Sequence, residues 1–580
     1  MAIVFSCNKS YLNKRPLGQL DEKALANKKG VEKLLIGAYS LLDGIGGNKS
    51  SFFSAASNWL YGSICGSEAY TGSDNYDGAR LSALPCEKFQ ATANPAFANP
   101  LVDKWGTVYD GVQRANDVLR IMVKANDIEP ADLKRIEAEA RFLRAHYHFE
   151  AKKMWNNVPF IDESITYANG NYYVGNEKNI WPDIENDLKF AMNNLSSDPY
   201  QGAVGRANKY SAMALLAKTY LFQNKYSEAK PLLEAIINSN KYQLVAYDKN
   251  FNPETRNSSE SIFSVQMSVN DGAVGMNGNY GDVLNFPMGG PGGCCGFFCP
   301  SQYLVNHFKT NSNGLPDFDT FNNSDVTHDL GLSVSDPYTP YAGSLDPRLD
   351  WTVGRRGIPY LDWSIHPGSD YPQNGGWVRD STLDGPYSPK KNVYYKSQQG
   401  LLTDATFWSG GTTTNNVNLI RYADILLWAA EVEIETGDLN KAREYVNKVR
   451  RRAADPTGWV HTYVDANNPS LGFTNTPAAN YHISEYTDAW TDKEYARKAL
   501  RYERMLELSM EGHRFFDLVR WGIAEVEINA YLTIEKTKRT YLNSAVFVKS
   551  KSETFPIPQL QIDLSAGADG VPKMKQNPGY

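Results

Sequence analysis

Three groups of side chains in this 580-residue chain have residue types that chemistry uses. The first is His146-x-His148-x-Glu150, inside "EARFLRAHYHFEAKKMW". On a helix, residues two apart point to different faces, so the two imidazoles do not share a metal. No H-E-x-x-H pair occurs either, and a structural role is expected for this cluster. The second group is "RYERMLELSMEGHRFFDLVRWG", Arg501 to Gly522, in which eight of the twenty-two residues are charged. Arg504, Glu507, Glu511, Arg514 and Asp517 step by three or four and predict one continuous helical stripe of mixed sign. Exposed pairs of this kind contribute only about 0.2–0.5 kcal/mol each. Tyr502, Met505, Leu508 and Phe515 lie off the stripe and are free to pack, and Gly512, a poor helix former, points to close approach of another element. The stretch reads as a buried polar brace between helices, scaffold rather than catalyst.

The third group is "GGPGGCCGFFCP", Gly289 to Pro300. Adjacent Cα atoms across a trans peptide lie about 3.8 Å apart, below the usual disulfide range of roughly 4.4–6.8 Å. A bridge between Cys294 and Cys295, two free thiols, or a bridge from Cys299 to either all stay open. Gly292, Gly293 and Gly296 flank the pair and can adopt unusual backbone angles. A closed vicinal ring would make a flat, weakly polar plate beside Phe297 and Phe298.

Other chemistry finds little support. No G-x-S-x-G or G-x-x-x-x-G-K-[ST] occurs, so elbow hydrolases and P-loop enzymes get no support. The chain has 65 acidic residues, so a glycosidase pair is not excluded, but its diagnostic is a separation in space. No metal or cofactor is expected. With 59 basic residues the net charge is −6, leaving no basic footprint for nucleic acid. Aromatic residues make up 12%, and Tyr, Trp and Asn are side chains that stack on and hydrogen-bond neutral polar ligands. No apolar run approaches the roughly eighteen residues that span a bilayer. At the start, Ala2 to Phe5 is a short apolar stretch ending in Ser6-Cys7, followed by a polar, basic tether. It looks like the tail of a bacterial lipoprotein signal with Cys7 as the lipidated residue; an ordinary cysteine in a terminal tether is the alternative.

The elements that must position these groups are mostly helical. Apolar residues recur at helical spacing over Gly30–Leu42, Trp105–Ala125, Asp132–Trp155 and Trp181–Leu195. Two stretches then repeat one pattern. Ala217, Tyr220, Ala229, Leu233 and Ile236 fit a tetratricopeptide helix pair, and Ala430, Gly437, Ala442, Val446 and Val449 repeat it. In both, twelve residues separate the small residue of the first helix from the alanine of the second. Between the pairs, residues 241–417 turn rich in Gly, Pro, Asn, Ser, Asp and aromatics. Loops that long inside a compact chain are usually functional. The expected fold is mainly α, a tetratricopeptide-like helical-hairpin scaffold with long irregular loops and few short strands.

The stretch "ERMLELSMEGHRFFDLVRWG" also resembles the most recognisable motif of the SusD/RagB family of Bacteroidetes outer-membrane glycan-binding lipoproteins. "EARFLRAHYHFEAKKMWNNVPFI", "RYADILLWAAEVEIETGDLNKAREYVNKVR", "DPRLDWTV" and the ending "FPIPQLQIDLS…MKQNPGY" extend the resemblance, in the right order, over nearly the whole chain. It implies a signal remnant and tether at 1–25 and a single SusD-like domain at 26–580. Within that domain the helical scaffold would cover 26–240 and 418–525, the ligand-binding insert 241–417 and an irregular segment 526–580. It further implies lipidation of Cys7, anchoring in the outer membrane, exposure at the cell surface, and a SusC-like TonB-dependent transporter that the protein covers like a lid. The implied activity is capture of oligosaccharide for that transporter without cleavage. A tetratricopeptide-type protein-interaction scaffold and, further off, a glycoside hydrolase are the alternatives.

Sugars present flat C–H faces to aromatic rings and hydroxyls to bidentate polar groups. Two loop regions offer both. After the N-terminal helix stand Asp43, Asn48, Trp59, Tyr70 and Asp74; in the central insert stand Cys294, Cys295, Phe297, Phe298, Trp363, Trp377, Arg379 and Tyr395. These are the candidate glycan-binding residues.

Overall fold

A computed structural model describes residues 22–45, 52–95, 99–273, 276–406 and 409–580. Its frame is a run of helices, each packed on the next: Lys28–Ser40, Pro100–Met122, Pro130–Trp155, Trp181–Asn194, Lys209–Leu221 and Tyr226–Asn238. The run continues across the insert, because Tyr422–Thr436 packs on Tyr226–Asn238 and Leu439–Ala453 follows it. Lys493–Leu508 lies against both members of this last hairpin. The central insert therefore interrupts the chain but not the helical array.

Local chemistry sets the ends of these helices. Asn27, Asn99, Asn208, Asp438 and Asp492 stand at N-caps, each side chain accepting a backbone N–H from the first turn. Pro100 occupies the first helical position, where a missing N–H costs nothing, so this helix starts before the Trp105 predicted from periodicity. Gly437, at φ 112°, closes Tyr422–Thr436 as a left-handed residue at a helix end should. Ala217, Ala229, Ala430 and Ala442 are all fully buried. Their small side chains let the paired helices approach closely, as the twelve-residue spacing predicts.

Among the described residues the sheets are all two-stranded. Ser261–Val265 pairs antiparallel with Val417–Arg421 and closes the insert at its base. Phe297–Pro300 pairs antiparallel with Ala69–Gly72, tying the insert to the N-terminal region. Beside the main core the insert has a small aromatic core of its own, built from Phe286, Tyr360, Leu361, Val393 and Tyr394. Among the described residues no helix is long and apolar enough to cross a membrane.

The stretch Arg501–Gly522 is a brace, but not one continuous helix. The first helix stops at Leu508 and the next begins at Arg514. Between them Met510 and Gly512 take φ of 63° and 77°. A Cβ on Gly512 would lie 1.9 Å from the Ser57 carbonyl oxygen, so another backbone crosses here and only glycine fits. The charges accordingly find partners across elements rather than along a stripe. Arg421, fully buried, donates to Glu260 at 2.8 Å, Glu507 at 2.5 Å and Glu511 at 2.9 Å. Arg348 of "DPRLDW" reaches Asp346, Glu503 and Glu507, and Lys391 reaches Glu511 at 2.6 Å. Arg504 and Asp517 pair across the break. Arg514, expected in this brace, is not part of it, because the bend turns it away and its sole ion pair among the described residues is a 3.6 Å approach to Glu527.

These partners set the ionisation of the brace. Burial opposes the Glu511 carboxylate, but Arg421 and Lys391 outweigh it and hold its pKa at about 2. Against the same opposition, Arg452, Arg421 and Arg348 hold Glu507 well below the carboxylate range. Glu68, which accepts from the Met510 amide at 3.0 Å, goes the other way: burial raises it to about 7.

Candidate functional site

The histidine cluster is structural. His148 is fully buried, with Nδ1 against the Arg144 carbonyl and Nε2 accepting from the Ile161 amide, each at 3.1 Å. His146 packs beside Tyr147 and Phe263. Among the described residues no group of three His, Cys, Asp or Glu side chains is placed to hold a metal.

A different constellation forms where three loops meet. The ladder between Ala69–Gly72 and Phe297–Pro300 ends in a bond from the Ser73 amide to the Gly296 carbonyl at 2.7 Å. A Cβ on Gly72 would lie 2.3 Å from that same carbonyl oxygen, so the two chains touch backbone to backbone. Into this corner comes Arg379 from the third loop. Its guanidinium donates to Ser73 Oγ at 2.7 Å, Asp77 Oδ2 at 3.0 Å and the Cys295 carbonyl at 3.2 Å. The other terminal nitrogen lies 2.5 Å from Asp74 Oδ2. Asp77 in turn caps the helix Gly78–Glu87 through the Ala79 amide. One arginine thus locks loops 73–77, 290–296 and 371–381 together. Burial works against the Asp74 carboxylate, but the Tyr76 amide and Arg379 prevail and keep its pKa below the usual range.

Around this lock sit exposed aromatic and amide groups. Tyr76 is 93% exposed, in a turn held by its amide on Asp74 at 2.8 Å. Tyr371 is 50% exposed and, with Ser333, Ser369, Asp370, Asn374 and Arg379, lines an open cavity of about 540 Å³. Asn374 bonds Asp370 at 2.9 Å, and this contact is the main cause of the low pKa of Asp370. Trp377 is half-buried, edge-on to Tyr360 and His366 with ring centres 5.2 and 5.0 Å away. Such a surface offers rings for a sugar face and short polar side chains for hydroxyls.

The residues singled out from the sequence divide accordingly. Asp74, Arg379 and the Cys294–Cys295 segment meet in the lock, and Trp377 stands two residues from it. The sulfurs of Cys294 and Cys295 lie within bonding distance of each other, and Cys299 is free and buried. Trp363 and Tyr395 flank the small aromatic core, as Trp377 does, with Trp363 Nε1 bonded to the Tyr394 carbonyl at 2.9 Å. Trp59, Tyr70, Phe297 and Phe298 are at most 5% exposed. Trp59 packs on both phenylalanines, and the Tyr70 hydroxyl bonds Glu535 at 2.6 Å; these rings are interior and present no face to a ligand. Asp43 is half-buried, accepts from the Ile45 amide, and is raised by burial to about 7. Asn48 and Cys7 lie outside the described residues. Tyr76, Tyr371, Asp370 and Asn374 escaped the sequence reading. Their signal was present in "SDNYDG" and "SDYPQNGGW", where a tyrosine sits in a turn of Asp, Asn and Gly.

The architecture is that of a helical-hairpin frame carrying a polar, aromatic surface on inserted loops. By its sequence the chain belongs to the SusD family, whose model matches residues 259–580. A second model, described as starch-binding associating with outer membrane, matches residues 11–221. A SusD-like protein of Formosa agariphila is 25% identical over 542 residues, covering 90% of this chain and 88% of that protein. Among solved structures, a SusD superfamily protein from Bacteroides vulgatus superposes with a TM-score of 0.67 at 18% identity, covering 96% of this chain and all of the other. Surface glycan-binding protein A from Bacteroides thetaiotaomicron, in complex with laminarihexaose, gives 0.66 at 20% identity, covering 95% and 99%.

Proposed function

We propose that the loop surface around Arg379 binds oligosaccharides at the cell surface and hands them uncleaved to a TonB-dependent outer-membrane transporter. The observation that carries this reading is the pairing of exposed rings, Tyr76 and Tyr371, with a rigid lock of charge beside an open polar cavity. The similarity to a protein solved with laminarihexaose supports it. The carboxylates of the surface argue against cleavage. A glycosidase needs a carboxylic acid with raised pKa, whereas Asp74 and Asp370 are both held low and Asp77 is paired to Arg379.

The test is calorimetric titration against a panel of neutral polysaccharides, laminarin and starch among them. At least one should bind without release of reducing ends, and Tyr371→Ala or Tyr76→Ala should weaken it about tenfold, the loss of one stacking contact of roughly 1.4 kcal/mol. Binding that survives both substitutions together places the ligand elsewhere.

Anchoring belongs to the same proposal. Lipidation at Cys7 would hold the chain at the outer membrane, where stable attachment takes more than a single acyl chain. In the native host, Cys7→Ala should move the protein from the membrane to the soluble fraction, and unchanged fractionation would sink this part.

A further inference from the structure

A cavity of about 440 Å³ opens among the helices Lys493–Leu508, Arg514–Arg520 and Ala524–Lys538 and the segment from Tyr303 to Phe321. It shares no lining residue with the surface around Arg379. Its walls are aromatic. Tyr303, Phe321 and Tyr502 surround the imidazole of His307, with Phe321 centred 3.8 Å away, and Phe318 packs against Tyr502. Burial and the neighbouring Arg514 keep that imidazole neutral.

Two guanidinium groups line this cavity beside the carboxylates of Glu494 and Glu527, and among the described residues neither makes an ion pair closer than 3.6 Å. Arg514 is 8% exposed and its Nε has no hydrogen-bond partner among the described residues; Glu527 approaches at 3.6 Å, and the buried Glu68 carboxylate feels its charge as well. Arg501 makes no ion pair among the described residues and lies over the ring of Trp521, 5.3 Å from its centre. The other arginines of these helices that are buried are paired: Arg504 with Asp517, and Arg520 with both Glu431 and Asp517. Buried donors without acceptors are unfavourable unless something supplies the acceptors. A guanidinium presents a planar fork of donors that matches a carboxylate or sulfate, and the rings beside it match the apolar face of a pyranose.

We infer that this cavity is a second sugar site, taking a pyranose unit that carries an oxyanion, with Arg514 and Arg501 on the oxyanion and the aromatic wall against the ring. The inference rests on the reading of the protein as a glycan binder and adds to it a charged class of ligand that the Arg379 surface, with its lock already neutralised, does not select. The oxyanion is a uronate carboxylate or a sulfate ester, and two probes separate them.

The full chain is titrated with oligogalacturonate, with a sulfated galactan oligosaccharide, and with neutral glycans. At least one charged probe should bind, and Arg514→Gln should weaken it by at least about tenfold, the contribution of a charge-assisted hydrogen bond, while a neutral glycan keeps its affinity. Arg501→Gln, at the cavity rim, should weaken the same probe and keeps the test open if Arg514→Gln misfolds. Failure of both charged probes to bind the wild type overturns the inference. So does charged-probe binding that persists in both arginine variants, even where it is lost in Tyr371→Ala; that second result would leave the glycan reading itself standing.

Discussion

An Arg421→Met variant is expected to lose about 3–5 kcal/mol of stability, the usual consequence of removing one partner from a buried ion pair. Arg421 is fully buried and serves Glu260, Glu507 and Glu511 at once, and two of those carboxylates are fully buried as well. Methionine fills a similar volume, so the change removes the charge and its hydrogen bonds more than the packing. The three carboxylates then share Arg348, Arg452 and Lys391, which already have partners. A urea midpoint measured by far-ultraviolet circular dichroism reports the effect. The exposed pair between Lys498 and Asp319 is the control; breaking it with Asp319→Asn should leave the midpoint unmoved, as surface pairs contribute little. If Arg421→Met unfolds at the wild-type midpoint, the network is not what holds the insert to the helices.

The same groups shape the response to pH. Glu511 at about 2 and Glu507, held well below the carboxylate range by Arg452, Arg421 and Arg348, are depressed relative to a free glutamate near 4.3. Their contribution is complete above that value and is lost in acid, that of Glu511 as pH falls through about 2. Glu68 and Asp43, raised by burial to about 7, act in the opposite sense. Their contribution is present in mild acid and is lost as pH rises through about 7. The wild-type midpoint should therefore be higher at about pH 5.5 than at about pH 8.

How much of this was legible in the sequence follows from the range of each interaction. Ala217 with Ala229 and Ala430 with Ala442 reported two hairpins correctly, because the contact that demands a small residue lies within one supersecondary unit. The brace was legible in kind, since so many charges beside apolar residues must be paired. Its bend at Met510–Gly512 was not, because the cause is the crossing of Ser57, far earlier in the chain. The loops announced themselves by composition, yet composition does not say which ring faces out. Trp59 and Phe297 were chosen for their size and are interior because another loop covers them. Tyr76 and Tyr371 were passed over and are exposed because their turns, held by Asp74 and Asp370, project them. Whether an aromatic on a loop is wall or ligand platform is decided by non-local packing.

Arg379 gives the largest expected effect on binding. It joins all three loops of the proposed surface, through Asp74, Asp77 and the Cys295 carbonyl. In Arg379→Met, Asp74 and Asp77 face each other without a cation, and the loop carrying Tyr371 loses its tie to the loop carrying Tyr76. Positioning two stacking rings is a matter of preorganisation, and loops that must be ordered on binding spend part of the interaction energy in doing so. Glycan affinity should fall by roughly a hundredfold, about 2.7 kcal/mol. The fold should survive, because the guanidinium is 23% exposed and its ion pairs are partly screened. A double-mutant cycle separates geometry from direct contact. If Arg379 acts by holding the Asp74 loop, then Asp74→Asn in the Arg379→Met background should add little, whereas Asp74→Asn alone should weaken binding severalfold. Additive losses would mean that Arg379 and Asp74 each touch the sugar independently. Wild-type affinity in a folded Arg379→Met protein would remove the three-loop lock from the binding surface altogether.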